Sequence, residues 1–103
     1  MVANFTQIEN ILENSNTYLM VLLFSAKWLG SAQILQVYLD DIAKGNEKIK
    51  IVLIDIDTYK NLATYFSVNT LPLTILLKNR KILAQIVGIT SKKKLAAKIA
   101  ELL

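Results

Sequence analysis

Hydrophobic positions along the chain fall into short runs and helical stripes. Tyr18-Leu19-Met20-Val21-Leu22-Leu23-Phe24 is apolar without interruption and of strand length, the pattern of a strand covered on both faces. Ile49 to Ile56 is a second such run, rich in β-branched residues. Leu73-Thr74-Ile75-Leu76-Leu77 follows Pro72. A polar turn at Lys78-Asn79-Arg80-Lys81 then leads to Ile82–Val87, so the two runs read as a hairpin. Between the runs the period changes to that of a helix. Thr6-Gln7-Ile8-Glu9 has the form of a capping box ahead of Ile8, Ile11 and Leu12, with a stop at Asn14-Ser15-Asn16. From Ala32 to Lys44, the residues Leu35, Leu39 and Ile42 form one stripe, and Gly45 falls where a left-handed cap is expected. Asp57-Thr58 is placed to cap a short helix through Leu62, Ala63 and Phe66, and Ser91 a last one with Leu95, Ile99 and Leu102 inward.

The order is α-β-α-β-α-β-β-α. A helix joins the first two strands, which predicts a parallel pair, and the last two form an antiparallel hairpin. Helices then cover both faces of one mixed sheet of about four strands, a three-layer α/β sandwich. No repeat, linker or low-complexity tract interrupts residues 1–103, which read as one domain.

Composition removes most chemistry. The 103 residues include no cysteine and no histidine. There is therefore no thiolate nucleophile or metal ligand, and no side chain with an ordinary pKa near neutrality. Gly30, Gly45 and Gly88 stand too far apart for a phosphate-binding loop. No cofactor and no metal are expected. The run Tyr18–Phe24 is about a third of the roughly 20 residues a membrane helix needs, and the N-terminal residues lack the pattern of a secretory signal. These features predict a cytoplasmic location without membrane association.

Five local matches along that order resemble the thioredoxin family. Phe24-Ser25-Ala26-Lys27-Trp28-Leu29-Gly30-Ser31-Ala32 is similar to the family's strand-to-helix segment, roughly F-W-A-x-W-C-G-P-C. Thr70-Leu71-Pro72-Leu73-Thr74 resembles its cis-proline turn and Leu77-Lys78-Asn79 the hairpin after it. Val87-Gly88 resembles the glycine before the last helix, and Asp55-Ile56-Asp57 the end of the central strand. The matches run from about Val21 to the C-terminus. Too few residues precede Thr6 for the family's first strand, which is expected to be short or absent.

The departures carry the functional message. The positions of the two redox cysteines hold Leu29 and Ala32, and the proline between them is Ser31. In the family one cysteine attacks a disulfide and the other resolves the mixed disulfide; leucine and alanine do neither. The resemblance also implies a buried carboxylate at Leu23 and a lysine at Leu53, both now leucine, which is taken to pack without the cost of a buried charge. The chain is therefore expected not to be an enzyme of this class.

What the resemblance leaves is the substrate groove: Trp28, Leu29 and Gly30 on one side, with Ile56, Leu71, Pro72, Gly88 and Ile89 around them. It implies capture of an extended protein or peptide segment by main-chain hydrogen bonds, with Leu29 adding an exposed apolar residue. A scaffold role, with self-association through a sheet edge or apolar helices, is the alternative, and the mean hydropathy of +0.40 keeps it open.

Other clusters have plainer readings. Lys92-Lys93-Lys94 with Lys98 is the densest basic group in a chain of net charge +4, and no aromatic residue interleaves it, so nucleic acid is not expected as a partner. Ser91-x-x-Lys94 lacks every companion motif of an acyl-enzyme. Asp55 and Asp57 are too few oxygen ligands for a hard cation. Arg80 stands where the family has glycine, which predicts a different turn type.

Overall fold

The structure is a computed structural model that describes residues 2–103, with side chains from Gln7 onward. Among the described residues nine elements follow one another: α1 (Val2–Asn14), β1 (Leu19–Ser25), a 3-10 turn (Gly30–Ala32), α2 (Gln33–Ala43), β2 (Ile49–Asp55), α3 (Lys60–Tyr65), β3 (Leu73–Lys78), β4 (Lys81–Val87) and α4 (Lys92–Leu102). The sheet order is β2-β1-β3-β4, with β1 parallel to β2 and antiparallel to β3, and β3 antiparallel to β4. The expected mixed sheet is present, and among the described residues no strand precedes β1.

Alternation along β1 builds both cores. Met20, Leu22 and Phe24 face one side, packed with Ile11 and Leu12 of α1 and with Leu62 and Phe66. Leu19, Val21 and Leu23 face the other, against Leu35 and Leu39 of α2 and Leu95 and Ile99 of α4. A strand covered on both sides needs no polar alternation, which is why its sequence is an unbroken apolar run. The Phe24 and Phe66 rings tilt at 58° with centroids 5.8 Å apart.

Three local expectations are corrected. The first helix begins at Val2, so Thr6 lies inside it rather than at its cap; Thr6's side chain lies outside the described ones. Helix α3 has no side-chain cap, and Asp55 rather than Asp57 organises the turn before it. Its carboxylate accepts the Asp57 N–H at 3.2 Å and the Thr58 hydroxyl at 2.9 Å. The hairpin keeps the geometry expected of glycine: Asn79 and Arg80 both have positive φ, 52° and 66°, the signature of a type I′ turn. Ser15, distant in sequence, supplies the support. Its carbonyl accepts the Asn79 N–H at 2.7 Å, and its hydroxyl accepts the Arg80 N–H at 2.8 Å. Ser91 caps α4 as expected, accepting the Lys94 N–H at 3.1 Å.

Candidate functional site

The site lies beyond the C-terminal ends of β1 and β2, where the chain turns from β1 into α2. The turn is tied by its backbone: the Leu29 N–H donates to the Ala26 carbonyl at 3.0 Å, and the Ala32 N–H to the Leu29 carbonyl at 3.2 Å. These bonds fold the segment so that Ala32 is buried and Leu29 half-buried, while Trp28 points to solvent at 68% exposure. Leu29 therefore does not add a fully exposed residue, as the sequence suggested. It lines a cleft of about 230 Å³ together with Leu23, Ala32 and Leu53.

On the other side of the turn, Gly30 shares a shallow cleft of about 520 Å³ with Ile34, Val37 and Ile89. Ile34 and Val37 were missed in the sequence reading. Their signal was present, because both are apolar residues of α2 lying off its buried Leu35/Leu39 stripe. With Ile89 they form an exposed apolar rim around Gly30, and Trp28, two residues before Gly30 in the chain, is also exposed.

Backbone hydrogen bonds bring in the remaining positions. The Leu71–Pro72 peptide bond is cis. The Pro72 carbonyl accepts the Gly88 N–H at 2.9 Å, which joins the start of β3 to the turn after β4. Gly88 has φ +80°, a conformation that favours glycine. The Ile56 N–H donates to the Ser25 carbonyl at 2.9 Å. Pro72 itself is buried, and Ile56 and Leu71 pack half-buried against the core beneath. The eight residues therefore divide. Gly30 and Ile89 share one cleft, Leu29 lines another, Trp28 lines neither, and Pro72 supports from below.

The thioredoxin family profile matches residues 2–101. The chain belongs to the thioredoxin family. It is 30% identical to thioredoxin H1 of Arabidopsis thaliana over 88 residues, 85% of this chain and 76% of that one. It is also 30% identical to monothiol glutaredoxin-4 of Schizosaccharomyces pombe over 91 residues, 88% of this chain. The chain spans only 37% of that glutaredoxin, and 53% of thioredoxin H8 of Arabidopsis thaliana. A solved thioredoxin-2 of the malaria parasite superposes with a TM-score of 0.74 at 35% identity, covering 82% of both chains. A Halobacterium salinarum thioredoxin shares the fold, with a TM-score of 0.81 at 22% identity over 93% of this chain and 82% of that one.

Within this thioredoxin-like frame the redox positions hold Leu29 and Ala32, and the chain has no cysteine elsewhere. Dithiol–disulfide exchange has neither its nucleophile nor its resolving group here. Leu23 and Leu53 are register partners across β1 and β2 and line the cleft beneath Leu29. Leu23 is buried as expected, but Leu53 is half-exposed. The gain from removing a buried charge thus applies to Leu23 alone.

Proposed function

We propose that this thioredoxin-like domain is a redox-inactive protein-binding module that is not an enzyme and takes up an extended segment of another protein beside the 3-10 turn. The observation that carries the reading is the exposed apolar rim of Ile34, Val37 and Ile89 around Gly30, with Trp28 exposed two residues earlier in the chain, at the turn from which the sulfur chemistry is gone. Large apolar side chains grouped in the open are costly to leave in water unless a partner covers them. Leu71, Pro72 and Gly88 provide the firm backbone against which a strand-like segment lies. The malaria parasite thioredoxin-2 is described as a component of protein secretion machinery, a precedent for a family member working within an assembly. A cytoplasmic site of action belongs to the same proposal and is checked by cell fractionation.

The test is affinity capture with the wild-type chain beside a Trp28→Ala/Ile89→Asp variant, both first verified as folded. Both positions are exposed, so the variant retains its core. A protein retained by the wild type and lost by the variant supports the reading; equal capture by both contradicts it. Turnover of a disulfide substrate is expected at the level of the blank.

A further inference from the structure

Beside the apolar rim, the turn has a second concavity, the cleft of about 230 Å³ at Leu29. Side chains alternate along β1, so Ser25 shares the sheet face of Leu23 and, through the parallel ladder, of Leu53. Ser25 also lines this cleft. It stands where the thioredoxin strand-to-helix segment carries a tryptophan, F-W-A against Phe24-Ser25-Ala26. A tryptophan there would project from the face of Leu23 and lie across the cleft floor. Serine is too short to do so, and its hydroxyl turns back to the Ala26 carbonyl at 3.4 Å. No other ring of the described residues takes that place. Trp28 points to solvent outside the cleft, and no aromatic side chain lines it. Leu53 is left exposed on the open wall.

We propose that this cleft is a subsite for one aromatic side chain of the bound partner segment, an inference that rests on the binding reading above. The lining selects that class. The floor is apolar, made by Leu23, Leu29, Ala32 and Leu53, and a charged group set on it would lose its hydration without a partner. The volume lies below the roughly 300 Å³ at which small-molecule pockets begin, so the cleft suits a single side chain rather than a free cofactor. Polar groups stand at the mouth. The Gln33 and Gln36 amides, in the first turn of α2, are there to meet an indole N–H or a phenol hydroxyl. The Asp55 carboxylate is already engaged by the Asp57 N–H and the Thr58 hydroxyl. Lys27, exposed and in no ion pair among the described residues, offers a cation to the face of a ring. The cleft is also continuous with the rim: Gln33 lines both concavities, and Leu29 and Gly30, one from each, are consecutive. An extended segment crossing the turn between them therefore reaches both.

Free indole is the probe for the cleft itself. Titrated into methyl-labelled chain and followed by NMR, it is expected to shift the Leu23, Leu29 and Leu53 methyl signals. In Ser25→Trp the chain's own ring fills the cleft, and those shifts should vanish. Leu53→Asp, at an exposed position that leaves the core intact, removes the apolar wall and should also abolish them; it decides the matter if Ser25→Trp fails to fold. Peptides selected on the wild-type chain are then expected to share one aromatic position. Its replacement by alanine should lower affinity about ten-fold on the wild type and leave affinity for Ser25→Trp unchanged. No indole shift at these leucines, or equal shifts in the folded variants, overturns the subsite. Selected peptides without an aromatic preference overturn it while the rim stands. Indole shifts with no enriched peptide overturn the rim while the aromatic cleft stands.

Discussion

Leu23 and Leu53 are Cα partners in the parallel ladder of β1 and β2, yet Leu23 is 3% exposed and Leu53 is 46% exposed. The difference comes from position in the sheet. Strand β1 is central and covered on both faces, while β2 is an edge beside an open cleft. The two leucines therefore tolerate charge very differently.

Leu23→Asp is expected to cost at least about 3 kcal/mol near neutral pH, because an unpaired carboxylate would be buried among Val21, Leu35 and Leu76 or would have to take up a proton. Burial would raise the carboxyl's folded pKa, so the penalty should be smallest below the ordinary carboxylate value of about 3.9 and grow as pH rises above it. Leu53→Lys should change stability by no more than about 0.5 kcal/mol. Urea unfolding at several pH values, at a concentration where the wild type is monomeric, checks both.

Thr74 is fully buried in β3 and its hydroxyl has no hydrogen-bond partner among the described residues. A buried polar group without a partner costs about 1–3 kcal/mol, and valine fills nearly the same volume without it. Thr74→Val is expected to stabilise the fold by about 1 kcal/mol, raising Tm by roughly 4–8 °C for a chain of this size. Calorimetry reads this directly; a lowered Tm would mean that the hydroxyl has a native partner.

An ion pair joins the two helices on one face: the Lys92 ammonium donates to the Asp41 carboxylate. The hydrogen bond from Lys92, then its charge, holds the Asp41 pKa below 3.8, with a further contribution from the charge of Lys44. A carboxyl whose pKa is lowered on folding contributes stability above its unfolded value and loses it as pH falls through its folded value. An NMR titration should find Asp41 ionising below 3.8 in the wild type and returning toward it in Lys92→Met. High salt should narrow that difference, because both partners are exposed. An unmoved Asp41 would remove the pair from the account.

Much of the fold was legible because it follows from local pattern. The apolar run at Tyr18–Phe24, the stripe of Leu35 and Leu39, the Ser91 cap and the hairpin after Pro72 each appear where their period and punctuation place them. The errors have two sources: a partner distant in sequence, and turn hydrogen bonds that hydrophobic period does not show. Arg80 tolerates positive φ because Ser15, from the other end of the chain, holds the turn. Leu29 is half-buried because the turn's own hydrogen bonds fold it toward Leu53. Asp55, at the end of β2, holds the turn before α3 through Asp57 and Thr58, and no side chain caps the helix as Asp57 was expected to. At the site, the loss of the cysteines was visible residue by residue. Ile34 and Val37 were legible as well, since both are apolar and lie off the Leu35/Leu39 stripe, but they were not read as part of the site.

The most direct test of the binding reading is a library of extended peptides displayed at random, selected on the wild-type chain and then titrated against it and against Trp28→Ala/Ile89→Asp. The account predicts peptides with a common apolar pattern whose affinity falls at least about ten-fold in the variant, a loss of roughly 1.4 kcal/mol. No enriched peptide, or equal affinity for both chains, would contradict it.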